Sequence, residues 1–229
     1  MTDQPDLATP LASWVEQALG HAPRDPALFA RALTHGSQGG PSYERLEFLG
    51  DRVLGLAVAH WLYGRFPDEP EGKLSARLNA LVSRETCAEV GRAIGVPQRL
   101  ILGKQARDDG ATCSDNVVGD AVEALIGALL CETDFATASA FVRRAWGAKL
   151  DSLAEAPKHP KSALQEWAAS HRCQPPVYTL VRRHGPHHAP SFTVSVEVAG
   201  RGGGSATAEG TSKQEAETQA ATTLLAELA

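Results

Sequence analysis

Basic residues are in deficit in this 229-residue chain, with 22 Lys and Arg against 27 Asp and Glu and a formal net charge of −5. Proteins that hold polyanions across a broad surface normally show the opposite excess, so a uniformly basic body is excluded. Cysteine is sparse as well. Cys87, Cys113, Cys131 and Cys173 lie far apart and form no C-x-x-C pair. That argues against a disulfide scaffold or a cysteine zinc site and fits a reducing compartment. Long hydrophobic runs are missing: the longest apolar stretch, around Ala124–Cys131, is far short of the roughly 18–20 residues of a spanning helix. The start, Met1-Thr-Asp-Gln-Pro-Asp6, has neither the basic region nor the apolar core of a signal peptide. These absences lead to the expectation of a cytoplasmic protein with no membrane partner. What remains is ordinary globular composition, 43% hydrophobic and 21% charged, which excludes disorder as the main state. The length fits one large domain or two modest ones.

Charge is divided unevenly. From Lys158 onward there are seven Lys and Arg, six Glu and five of the eight His, whereas the preceding residues carry a net −6. Composition breaks at Ala154-Glu-Ala-Pro-Lys-His-Pro-Lys161, where two prolines interrupt helical patterns on both sides. The expected organisation is a first domain over residues 1–153, a linker at 154–160 and a second domain over 161–229. Apolar residues recur at three and four over Pro26–Thr34, Tyr43–Phe66, Lys73–Gly95, Val117–Thr133 and Phe135–Leu150, which predicts an all-α first domain. After the linker the period changes. Ser162–His171 reads as a short helix and Val177–Arg183 as a strand. Phe192, Val194, Val196 and Val198 alternate with polar residues as a half-buried strand. Glycine-rich 200–204 reads as a hairpin turn and Ser205–Glu209 as a third strand. Ala216, Ala220, Leu224 and Leu228 then mark one face of a closing helix. The α-β-β-β-α order predicts a small α+β unit with one sheet face covered by helices.

The chemistry concentrates in Glu44-Arg-Leu-Glu47-Phe-Leu-Gly-Asp51. On a helix, positions 44, 47 and 51 share an arc of roughly 60°. Carboxylates stacked on one face repel one another unless a cation sits among them. A second stretch, Asp120-Ala-Val-Glu123, places two acids at i, i+3 beside a very apolar run, where acids are costly unless paired or metal-bound. An oxygen-only set without nearby His or Cys suits Mg²⁺ or Mn²⁺ more than zinc. The plainer alternative is a pair of solvated faces, with Arg45 and Arg52 as ion-pair partners.

The exact strings favour the first reading. Glu44–Asp51 resembles the signature of the ribonuclease III family at eight consecutive positions. Ala32-Leu-Thr-His35-Gly-Ser37 resembles an upstream motif of that family, and Val118-Gly-Asp120-Ala-Val-Glu123-Ala-Leu-Ile-Gly127 its second acidic motif. The resemblance spans essentially the whole chain. It implies an endoribonuclease that hydrolyses double-stranded RNA with two divalent ions, leaving 5′-phosphate and 3′-hydroxyl ends with short 3′ overhangs, ribosomal RNA precursors being the usual substrate. Under it Asp51 and Glu123 are catalytic, Glu47, Asp120 and Glu123 bind Mg²⁺ (or Mn²⁺), and Glu44 and Glu71 are accessory. Phe48 matches an aromatic that plugs a pocket of the partner subunit, which implies a homodimer; a plain core residue is equally compatible with the sequence. Two flanking positions depart from the family pattern: Arg52 stands where Ser is common, and Tyr43 where Asn is common.

The second domain resembles a double-stranded-RNA-binding domain. Gln165 and Glu166 in Lys161–Glu166 match its first helix, His187 and His188 its minor-groove loop, and Lys213 the phosphate-gripping start of its last helix. Such domains read A-form shape and 2′-hydroxyls. Ser162-x-x-Gln165 and Ser212-x-x-Glu215 also read as capping boxes, which would only start helices. Gln214 and Ala208 depart from the pattern, so phosphate attraction rests largely on Lys213 and the helix dipole. A different class of function remains open: a catalytically silent regulator that binds double-stranded RNA by occupancy. A generic helical phosphohydrolase with an unrelated tail would leave the tail motifs unexplained.

Overall fold

Several helix starts in this protein are set by short polar side chains, as the computed structural model shows for the residues it describes, 10–153, 156–185 and 190–228. Two compact units result, Met1–Pro157 and Lys158–Ala229. The first unit is helical: α1 (Leu11–Leu19), α2 (Pro26–Ala32), α3 (Glu44–Arg65), α4 (Glu71–Leu81), α5 (Arg84–Ala93), α6 (Lys104–Asp108), α7 (Asp115–Glu132) and α8 (Phe135–Ser152). Asp25 caps α2 by accepting from the Ala27 N–H at 3.0 Å, and Asp134 caps α8 by accepting from the Thr137 N–H at 2.8 Å.

The helix expected over Lys73–Gly95 is two helices. Ser83 has extended backbone and its hydroxyl accepts from the Thr86 N–H at 3.2 Å, so the chain restarts there as α5. Helix α1 has no counterpart in the sequence reading. Its apolar positions Trp14, Val15 and Leu19 are buried, and it ends at Gly20 in the left-handed conformation.

Helix α7 is the axis of this unit. Ala124 through Leu129 are all buried, and α3, whose Leu54, Ala57 and Val58 are buried in the same core, packs along it. The two helices touch backbone to backbone. A Cβ on Gly50 would lie 1.7 Å from the Glu123 carbonyl oxygen, and one on Gly127 would lie 2.2 Å from that of Leu46. Only glycine at both positions allows this approach.

The second unit holds α9 (Pro160–Ser170), the strands β1 (Val177–His184), β2 (Ser191–Val198) and β3 (Gly204–Gly210), and α10 (Lys213–Leu228). The sheet is antiparallel in the order β1-β2-β3, with a register shift between Leu180 and Arg182. Val196, Val198 and Ala206 face Leu164, Ala168, Ala220 and Leu224 of the helices. This is the α-β-β-β-α arrangement expected. Helix α9 begins at Pro160 rather than Ser162, because the His159 ring caps it by accepting from the Lys161 N–H. The capping box expected between Ser162 and Gln165 therefore does not form, whereas Ser212 does accept from the Glu215 N–H at 3.1 Å. Among the described residues no helix is long and apolar enough to cross a membrane.

Candidate active site

The Gly50–Gly127 crossing brings the acids of α3 and α7 together. Glu47 and Asp120 are part-buried, and both carboxyls sit above their usual range. For Glu47 the cause is burial first, then the charges of Asp120 and Glu44. For Asp120 it is burial, which a hydrogen bond from Tyr43 and the nearby Arg84 and His35 partly offset. Glu123 is affected most: burial, then Asp120 and Glu47, push its carboxyl up to about 7 against the pull of Arg52 and Arg84. Beneath them the Cys87 thiol, fully buried, is pushed up to about 12 by burial and by Glu123 and Asp120.

The sequence-predicted acids do not all converge. Asp51 pairs with the guanidinium of Arg52, which also lies 5.5 Å over the Phe48 ring. Among the described residues no three His, Cys, Asp or Glu side chains close around a common point. Asp51 takes as its partner the opposite charge next to it in the chain. Glu44 is exposed in the first turn of α3, close enough to act on Glu47. Glu71 opens α4 and accepts from Ser75 Oγ at 2.6 Å. Phe48 is 67% exposed, so the core-residue alternative is excluded; it shares a stripe of α3 with exposed Leu56 and Tyr63.

Two residues of this site escaped the sequence reading. Tyr43 donates to Asp120 Oδ2 at 3.4 Å. It was visible only as an odd residue before the signature. Arg84, at the first position of α5, supplies positive charge to Asp120 and Glu123. No local signal marks it, because its place depends on how α5 packs on α7.

In the second unit a groove between α9 and α10 is lined by His159, Lys161, Ser162, Gln165, Lys213, Gln214 and Glu217. It brings Gln165 and Lys213 to one surface. Gln165 is exposed and, with the capping box unformed, is not spent on starting a helix. Glu217 ties the groove's cations together, 2.6 Å from Lys161 Nζ and 3.8 Å from Lys213 Nζ. Glu166 is exposed and pairs with Lys158. His187 and His188 lie outside the described residues.

Both units match known families. Residues 25–150 match the Ribonuclease-III-like family model, and residues 160–228 match the double-stranded RNA binding motif. A Ribonuclease 3 from Zymomonas mobilis is 59% identical over 93% of this chain and 86% of its own. The chain belongs to the ribonuclease III family. A Ribonuclease 3 from Rhodobacter capsulatus is 42% identical over 97% of each chain. Among solved structures, the nuclease domain of ribonuclease III from Campylobacter jejuni superimposes with a TM-score of 0.58 at 32% identity, covering 60% of this chain and 94% of that one. This member of the ribonuclease III family is an endoribonuclease of double-stranded RNA, and the family is one of metal-dependent nucleases.

Proposed function

We propose that Glu47, Asp120 and Glu123, completed by Asp51, form the metal-binding and catalytic set for hydrolysis of duplex RNA, with Asp51 and Glu123 closest to the chemistry. Mg²⁺ is the ion that fits, with Mn²⁺ as a substitute. The observation that carries this reading is the glycine crossing. It brings Glu47, Asp120 and Glu123, all hard oxygen donors, near enough for their charges to act on one another. Without a cation that cluster is destabilised by its own repulsion, and a divalent ion relieves it. When bound, two such ions lower the pKa of an attacking water and neutralise the leaving oxygen.

The protein's own residues do the rest. Arg52 pairs with Asp51, Glu44 adds negative charge at the rim, and Glu71 is assigned an accessory role on resemblance alone. Hydrolysis leaves 5′-phosphate and 3′-hydroxyl ends, and two sites related by a two-fold axis cut opposite strands to leave short 3′ overhangs. The exposed Phe48 stripe supports a homodimer; a Campylobacter ribonuclease III nuclease-domain structure is described by the flexibility of its dimer-forming region. We assign residues 1–153 to the catalytic domain, 154–160 to the linker and 161–229 to the RNA-binding domain, in which Gln165, Glu166, His187, His188 and Lys213 contact the duplex. Structured precursors, ribosomal RNA above all, are the substrates, in the cytoplasm.

Incubation of the protein with long duplex RNA and Mg²⁺, followed by sizing of the products, tests the reading. Short duplexes that vanish in EDTA are expected. Bound but intact RNA would instead establish the silent, duplex-binding regulator.

A further inference from the structure

Tyr43 has no part in the roles assigned above, yet it touches both acidic helices. Its carbonyl accepts the first hydrogen bonds of α3, from the Leu46 and Glu47 N–H at 2.8 and 2.9 Å, so it sets where the Glu47–Asp51 face begins. Its own N–H donates to the Thr34 carbonyl at 2.8 Å. The side chain is 3% exposed and its hydroxyl reaches across to Asp120 Oδ2 on α7, at 3.4 Å, a weak contact beyond the usual range for two oxygens. The ring is held from behind by His35, edge-on with centroids 5.7 Å apart. His35 is itself pinned. Its Nδ1 accepts from the Ser37 N–H at 3.1 Å, its backbone N–H donates to the Ile101 carbonyl at 3.0 Å, and Ser37 Oγ accepts from the Gly103 N–H at 3.0 Å. The Ala32–Ser37 motif, which carries no acid, thus forms a rigid wall behind one phenol.

We propose that Tyr43 is a positioning residue for Asp120: its hydroxyl, backed by His35, holds the Asp120 carboxylate in one orientation for cation binding. The inference rests on the reading of Asp120 as a metal ligand. Asp has few torsions, but beside Glu47 and Glu123 its carboxylate is driven to turn away from like charge. A fixed donor opposes that turn. A neutral donor does so without competing for the site as a cation would, in contrast to Arg52 at Asp51. One oxygen is held and the other is left for an ion. Partners of this kind, hydrogen-bonded to a ligand, commonly set metal affinity.

The test uses the full chain. Tyr43→Phe keeps the ring, and hence its packing on His35, and removes only the hydroxyl. Titrated with Mn²⁺ by calorimetry in the absence of RNA, it should bind about tenfold more weakly than the wild type. The Mn²⁺ concentration needed for half-maximal cleavage should rise by a similar factor, with kcat restored at saturating Mn²⁺ and duplex binding in EDTA unchanged. Tyr43→Leu, which also loses the ring, should show the same metal defect together with a lower melting temperature. Wild-type Mn²⁺ affinity in folded Tyr43→Phe overturns the inference. Asp120→Asn separates the two levels: if it binds Mn²⁺ and cleaves as the wild type does, the assignment of Asp120 fails, whatever Tyr43 does.

Discussion

Glu123 sits in surroundings that disfavour its own charge, burial first and then Asp120 and Glu47, and its carboxyl stands at about 7 for that reason. A side chain placed so badly for folding is placed for something else. Glu123→Gln keeps the shape and removes the charge, so in EDTA the variant should melt above the wild type. A gain of one kcal/mol moves the midpoint by about 2–4 °C in a chain of this size. Mn²⁺ should raise the wild-type midpoint, since it binds the folded form, and should leave the variant nearly unmoved. Cleavage should collapse while duplex binding survives. A variant that melts below the wild type in EDTA and still cleaves would make Glu123 an ordinary polar residue. The spacing of 44, 47, 51, 120 and 123 made these acids legible in the sequence. The Arg52 grip on Asp51 was foreseen only as the plainer alternative, because whether adjacent opposite charges pair depends on what else is in reach.

Helix α7 connects the site to the rest of the unit through its two glycine-bearing ends of contact, and its far end carries a second acid of interest. Gly50→Ala would put a methyl group inside the Glu123 carbonyl, so α3 and α7 must separate. The expected loss is about 3 kcal/mol or more, with cleavage falling further than stability alone accounts for, measured by denaturant unfolding and by kcat. Normal activity in Gly50→Ala would refute the crossing. At the other end Glu132, 8% exposed, accepts from the backbone N–H of Arg24 at 2.9 Å and Asp25 at 2.6 Å and pairs with His21. Burial alone would raise its carboxyl, but the Asp25 amide, His21 and the Arg24 amide hold it below the usual range. A carboxyl lowered on folding contributes stability above its unfolded value, about 4.3, and loses that contribution as pH falls through the folded value. Glu132→Gln should therefore cost about 2 kcal/mol at pH 7, with the gap to wild type closing below about pH 4. A gap independent of pH would show that the carboxylate charge contributes nothing. The α7 pattern was readable from its apolar run; that its last residue latches the α1–α2 turn was not, since the partners lie more than a hundred positions earlier.

At the scale of the molecule, chemistry and RNA recognition belong to different units of one acidic chain. The second unit offers few cations to a duplex, and Glu217 engages both Lys161 and Lys213. Lys213→Ala should weaken duplex binding uniformly across sequences and flatten the slope of log affinity against log salt by about one unit. The maximal rate at saturating RNA should change little. An unchanged salt slope would remove Lys213 from the phosphate contacts. Assembly is the other whole-molecule property. Phe48, Leu56 and Tyr63 are large apolar side chains exposed on one side of α3 that a specific interface, typically ~1,200 Å² or more in total, would cover. The wild type should run near ~48 kDa, twice the 24.2 kDa chain, and Phe48→Glu as a monomer. A dimeric Phe48→Glu would move the interface elsewhere.

The sequence by itself determined the two domain types, the helix-rich body, the three strands and the family, because hydrophobic period and short motifs are local properties of the chain. It also singled out the candidate acids, since a helix converts spacing into a shared face. It overran at Ser83, where one hydroxyl capped a new helix inside a continuous apolar pattern, and it began α9 two residues late at Ser162, because His159 takes the cap. Only the tertiary structure decided that Glu47 and Glu123 meet across two glycines, that Tyr43 spans both acidic helices and that Phe48 faces outward. Each of those depends on backbone distances between segments far apart in sequence, and distance across a core is what a linear pattern does not carry.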